Sequence, residues 1–163
     1  MPIYSKTIQN DAILALIPQG TRKILILFCC GCINESLAFD NNFPLSLMGD
    51  NNTRIPYPSQ TEAKRISHLL NENGFITKYT TLIGDMPVLC VFSSESITYI
   101  SENEFQPDII LVLSCPAGAH GVHMRVCIPV FSVTEQVGTL AFQYSEQNGK
   151  RYITRSRVYE VHS

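Results

Sequence analysis

Two short apolar runs stand out along the chain, Ile24–Phe28 and Ile109–Leu113, and both lead into cysteine: Cys29 directly, Cys115 after Ser114. Unbroken runs of Ile, Leu, Val and Phe of this length predict strands buried on both faces. Around them the pattern changes period. Over residues 5–17, Ile8, Ala12, Ile13 and Leu16 recur at helical spacing, and Pro18 and Gly20 stop the helix. Residues 33–58 are dense in turn formers and predict a long loop, with one helical turn over 35–39. Ser59 and Glu62 have the spacing of a capping box that opens a helix. Ala63, Ile66, Leu69 and Leu70 form its apolar face, and Asn73-Gly74 ends it. Residues 75–82 predict a strand. Residues 88–92 form a further apolar run containing Cys90, and 94–105 predict a helix with Ile97, Ile100 and Phe105 inward. Residues 116–121 are a small-residue turn leading into a short helix. Residues 127–133 predict a last central strand, and 139–145 with 151–161 predict a hairpin about Gln147-Asn148-Gly149.

Strands that end in cysteine with helices between them imply parallel pairing and right-handed crossovers. The expected fold is α/β, with a central mostly parallel sheet, helices on both faces (Rossmann- or flavodoxin-like) and a C-terminal β-hairpin. One domain is expected over 1–163: an N-terminal helix within 1–20, a core over 21–135 interrupted by the inserted loop 33–58, and a β extension over 136–163. If Ile24–Phe28 and Ile109–Leu113 are neighbours, Cys29, Cys32 and Cys115 share one edge of the sheet, the edge where open α/β sheets bind ligands.

The 163 residues, 45% of them hydrophobic and 16% charged, suit one globular core. The net charge of −2 gives no basic field for nucleic acid. No apolar run approaches the roughly 18–20 residues that span a bilayer, and the N-terminus carries no secretory pattern. A cytoplasmic location follows as the expectation, with the six cysteines reduced. Phe39, Phe43, Leu45 and Leu47, apolar residues in the predicted loop, point to a homo-oligomer, a dimer foremost.

Reduced, clustered cysteines direct attention to metal or redox chemistry. Cys29 and Cys32 are spaced C-x-x-C. With Cys90 and Cys115 they make four soft donors that can hold zinc tetrahedrally, sulfur about 2.3 Å from the metal, or alternatively an iron–sulfur cluster. Cys30 is expected to point elsewhere, and Cys127 to be a small core residue in a strand. His120 and His123 offer a nitrogen ligand or a proton carrier beside Cys115, and Glu35 or Asp40 can complete a metal shell; solvent exposure is the plainer role for all four. His68 and His162 are expected to be solvated. The rival functions are a thiol-dependent enzyme, either a redox dithiol at Cys29 and Cys32 or a nucleophilic cysteine with Cys115 and His120 as the candidate pair, and a metal-free interaction domain whose cysteines only pack. No G-x-G-x-x-G or P-loop supports nucleotide binding.

The stretch Lys23–Cys32 resembles the opening of the zinc-binding domains associated with methylenetetrahydrofolate reductase, in which a strand runs into Gly-Cys-Gly-x-Cys. Ser114-Cys115-Pro116-Ala117-Gly118-Ala119-His120 resembles their second signature, Ala-Cys-Gly-Ala-Gly-Val-Gln, and Cys90 falls where the family has its middle cysteine. The likeness spans roughly residues 23–135. It implies that Cys29, Cys32, Cys90 and Cys115 cluster about zinc, and that the chain is an accessory or partner subunit in one-carbon metabolism. Ser36 stands where the family often has a further cysteine, and a polar hairpin replaces its cysteine-rich C-terminal extension; both departures weigh against an iron–sulfur relay.

Overall fold

The strand Lys23–Phe28 (β2) has no polar residue after its first, and every residue from Ile24 to Phe28 is buried. It therefore lies inside a sheet, flanked on both sides. In the computed structural model, which describes residues 2–45, 56–82, 88–91 and 104–160, its neighbours are Ile76–Thr80 (β3) and Ile109–Leu113 (β4), both parallel. Val130–Ser132 (β5) adds to the far side of β4, giving a four-stranded parallel sheet in the order β3-β2-β4-β5. The two apolar strands, β2 from its second residue and β4 throughout, occupy its centre, and β3, with Ile76 57% exposed, forms an edge. Register is fixed at the amino end of the sheet by Asp108. Its carboxylate accepts the N–H groups of Arg22 and Lys23 at 2.8 Å each, and its own N–H donates to the Lys23 carbonyl at 2.8 Å.

A second, antiparallel sheet has the order β1-β6-β7, from Ile3–Thr7 (β1), Thr134–Gln147 (β6) and Lys150–Glu160 (β7). The chain therefore has the expected α/β character, with the terminal hairpin longer than its alternation predicts. Asn148 and Gly149 close the hairpin with φ of 52° and 74°, the left-handed pair a two-residue turn requires.

Four expectations are corrected. The helix over residues 5–17 contracts to Asn10–Leu16 (α1), because Ile3–Thr7 pairs with β6 at the far end of the chain. The loop over 33–58 contains instead the ten-residue helix Cys32–Asn41 (α2), which starts directly at the second cysteine of the pair. The helix Pro58–Glu72 (α3) starts with Pro58 at its first position and has no side-chain cap. Ser59 there donates its hydroxyl and backbone N–H to Asn34 Oδ1 at 3.2 and 3.1 Å, and Glu62 pairs with Arg65. Of the two capping-box letters, Ser59 is thus used in a tertiary contact and Glu62 in an ion pair within its own helix. Ala63, Ile66 and Leu70 are fully buried as predicted, and His68 is exposed beside Glu72. The helix predicted over 94–105 lies largely outside the described residues. The last helix, Pro116–His123 (α4), starts immediately after Cys115. Cys127 is exposed and precedes β5, so it is not a core strand residue.

The basis for self-association also changes. Leu45 is 3% exposed and bridges to Arg151 of β7, and Phe39 packs its ring on Tyr4 at 5.8 Å. Phe43 remains exposed, and Leu47 lies outside the described residues. Among the described residues no helix is long and apolar enough to cross a membrane.

Candidate functional site

Cysteines reach one place because β2 and β4 are adjacent and parallel, in a register that sets Phe28 opposite Leu113. The Cys29 N–H donates to the Leu113 carbonyl at 3.0 Å, extending the ladder one step into the turn. Past that point both strands hand over to helices. Gly31 precedes α2, Cys32 is its first residue, and Cys115 is the residue before α4. Two helix N-termini therefore face the carboxyl edge of the sheet, with their unpaired N–H groups near the thiols.

The sulfurs differ in their partners. Cys29, 3% exposed, accepts N–H bonds from Gly31 and Leu89 at 3.4 Å each. Burial outweighs those donors and pushes its thiol up to about 11. Cys32 is more exposed, and its thiol hydrogen-bonds to the Cys115 sulfur. That bond, then burial, drives the Cys32 pKa up. The same bond is the main cause that draws Cys115 below the ordinary thiol range, against burial, with the N–H groups of Gly118 and Ala117 assisting. The two thiols therefore titrate as an interacting pair, and the backbone N–H groups of Ala117 and Gly118 favour the anion on the Cys115 side. Cys30, lying between the first two, turns away to contact Thr81 Oγ1 at 3.9 Å.

Of the four cysteines the sequence selects, Cys29, Cys32 and Cys115 follow the ends of the neighbouring strands β2 and β4, and Cys115 bears on both Cys29 and Cys32. Cys90 is one residue beyond the Leu89 N–H that binds Cys29, and its side chain is exposed. Among the described residues no three His, Cys, Asp or Glu side chains stand in a ligating arrangement. His120 and His123 are exposed on the last turn of α4, at the opposite end of that helix from Cys115. Asp40 accepts a hydrogen bond from the Tyr4 hydroxyl, at the other end of α2 from Cys32. A polar cleft of about 530 Å³ lies away from the thiols, among Lys6, Asp11, Asp40, Glu62 and Arg65.

Glu35 has a larger part than its sequence context suggests. It sits in the first turn of α2, half-buried, close enough to bear on Cys32, and desolvation raises its carboxyl to about 7. A carboxyl raised on folding contributes stability that is fully present below its unfolded value and lost as pH rises through about 7. Glu35→Gln is therefore expected to be neutral at pH 4 and stabilising at pH 8. Allowing for the solvent that still reaches the group, the gain is on the order of 1 kcal/mol. Urea unfolding at the two pH values measures it, and equal effects at both would remove the desolvated carboxyl from the account.

Glycine marks the two turns. A Cβ at Gly31 would meet Val88 Cγ1 at 3.1 Å, and one at Gly118 would meet Ser114 Oγ at 2.7 Å. Those two glycines are the sequence's signal that backbone approaches closely here. The donating N–H groups themselves carry no signal of their own. No family model, curated protein or solved structure matches the chain.

Proposed function

We propose that the chain is a metal-binding domain, with zinc as the metal, that serves as an accessory or partner subunit. One observation supports this reading: Cys29, Cys32 and Cys115 all follow the carboxyl ends of the adjacent parallel strands β2 and β4, with backbone N–H groups directed at their sulfurs. A metal thiolate centre needs ionised sulfurs, and N–H donors stabilise that charge in a buried site. Soft thiolates select zinc or iron–sulfur chemistry over hard cations. Cys29, Cys32 and Cys115 would supply three ligands. Cys90 would be the fourth in a closed structural site; without it the fourth position stays open to a ligand.

The finer fold assignment supports the same place. Numbered within the parallel sheet alone, the strand order is second, first, third, fourth, which is the order of the flavodoxin-like doubly wound sheets. In such sheets the ligand crevice lies between the first and third strands, here β2 and β4. The resemblance of Lys23–Cys32 and of Ser114–His120 to the zinc-binding reductase-associated domains favours a one-carbon enzyme as the partner. Self-association is the other use of the remaining surface.

Metal content tests this directly. Protein purified without oxygen or chelator is expected to carry about one zinc per chain, lost in Cys29→Ser and Cys115→Ser, because removing one ligand takes away much of the binding free energy. Cys127→Ser, which alters an exposed thiol outside the cluster, is expected to keep its zinc. Iron with sulfide would redirect the reading to electron transfer. No metal in wild-type protein would overturn it and leave the thiol enzyme and the metal-free interaction domain.

A further inference from the structure

The net charge of −2, which by itself offers nucleic acid no basic field, conceals an uneven distribution. Of the 12 Lys and Arg residues, Lys150, Arg151, Arg155 and Arg157 fall within residues 150–157 of β7, which hold no Asp or Glu. Pairing with β6 sorts them by face. Residues directly opposite in an antiparallel ladder share a face, and the face alternates along each strand. Thr139 lies opposite Tyr159, Ala141 opposite Arg157 and Gln143 opposite Arg155. Past the irregularity beside Gln143, where Thr154 has no partner, Ser145 lies opposite Tyr152 and Gln147 opposite Lys150. One face thus collects three cations and two tyrosines above small or neutral residues of β6. Glu146 and Glu160 fall on the other face, opposite Arg151 and Gly138. That other face is turned to α2: it holds buried Leu140, and Tyr4, opposite Gly138, packs on Phe39. Glu135, further back on β6, lies opposite Lys6. We infer that the basic, tyrosine-bearing face of the β6–β7 ribbon binds single-stranded nucleic acid.

The cations of this face are available to an anion. Lys150, Arg155 and Arg157 are all exposed, and among the described residues none of them enters a salt bridge. Arg155 and Arg157 stand about 7 Å apart along the strand. They flank an open groove of about 440 Å³ that Ala141 and Gln143 help to line, so a phosphate backbone can come close to the sheet without meeting a bulky or acidic side chain. The Arg157 guanidinium lies 4.9 Å from the centroid of the Tyr159 ring, and Tyr159 is 44% exposed. A ring and a guanidinium held together make a platform for a base, since bases stack on aromatic rings and on Arg planes alike. Charge alone would suit any polyanion. The tyrosine platform favours one with flat, unstacked bases, and a duplex keeps its bases inside the stack. With no edge-reading constellation beside the platform, binding should tolerate any base. The face belongs to the antiparallel sheet and does not depend on the metal reading.

Fluorescence anisotropy of a labelled oligouridine, about ten nucleotides long to span the site of one small sheet, tests this with the full chain. Binding is expected at about 1–100 μM, the range of sequence-independent contacts. The logarithm of the association constant should fall against the logarithm of salt with a slope of about −2, from roughly 0.7 for each of three phosphates. Arg155→Glu should weaken binding about tenfold and make the slope shallower by about 0.7; Arg155→Gln serves as a milder variant if charge reversal disturbs the ribbon. Tyr159→Leu should also weaken binding about tenfold, the loss of one stacked base, but leave the slope unchanged. A surface that acts by charge alone would not separate the two variants in this way. Lys64→Glu makes the same change of charge as Arg155→Glu on an exposed residue of α3, which packs against the other sheet, and should bind as wild type does. The inference is overturned by no binding at about 100 μM, by equal affinity for a duplex of the same length, by an acidic polypeptide that competes as well as the oligonucleotide, by an equal loss in Lys64→Glu, or by no loss in Tyr159→Leu.

Discussion

Leu111→Ala is expected to lower the unfolding free energy by about 3–4 kcal/mol, in the upper part of the range for fully buried leucines. Leu111 is the middle residue of β4, with no exposed surface. It pairs with Ile26 of β2 on one side and with Phe131 of β5 on the other. Removing its isobutyl group leaves a cavity bounded by strands on both sides, and a sheet interior held by two ladders has little freedom to collapse into it. Ile76→Ala, on edge strand β3 where the side chain is 57% exposed, makes the contrast: its effect should stay within about 0.5 kcal/mol. Urea unfolding with an unchanged denaturant slope would show that stability alone has shifted. A loss below about 1 kcal/mol at Leu111 would contradict the packing described, because the transfer term for a buried leucine alone exceeds that.

The two strands that carry this prediction are legible in the sequence because burial on both faces leaves only one kind of letter. Ile24–Phe28 and Ile109–Leu113 need no partner to be recognised. Their cysteine ends are legible for the same reason, since whatever follows a central parallel strand lies at the ligand-binding edge. What stays hidden depends on distant partners. Helix α2 reads as loop because turn formers crowd residues 33–58, yet its polar Asn34 and Ser36 are buried and held by distant partners. Asn34 is satisfied by Ser59, 25 residues away, and Ser36 by the Ser5 N–H, 31 residues away. Strand β1 reads as the start of a helix because its period is overruled by pairing with β6. Cys127 reads as core because Val126, Ile128 and Val130 surround it, but pairing with β4 begins only at Val130. At the site, spacing identifies Cys29 with Cys32. Strand order sets Cys115 beside them, and the hydrogen bond between Cys32 and Cys115 follows from that order rather than from spacing.

Gly118→Ala is expected to damage the site more than the fold. On an ordinary helix this change is favourable by about 1 kcal/mol, since alanine is the better helix former. Here the new methyl would lie 2.7 Å from Ser114 Oγ, 2.9 Å from Ser114 Cβ and 3.2 Å from Leu89 Cβ. Ser114 and Leu89 have no exposed surface, so neither can swing aside into solvent. Relief has to come from moving the first turn of α4 off the end of β4, which draws the Ala117 and Gly118 N–H groups away from Cys115. Displacing Leu89 would also loosen its bond to Cys29. Overpacking of this kind costs about 1–3 kcal/mol, which outweighs the propensity gain. The local consequence is larger. Cys115 should lose thiolate character, read as a rise in the pH at which it reacts with iodoacetamide, and zinc affinity should fall by about 10–100-fold, as when outer-shell partners are removed. Ser114→Gly deletes both the hydroxyl and the Cβ in the way, at the loss of the bond its hydroxyl donates to the Cys115 carbonyl. The double variant should therefore recover much of the Cys115 reactivity and be less destabilised than the sum of the singles. Additive losses, or an unchanged alkylation profile in Gly118→Ala, would show that the helix start does not control the charge on Cys115.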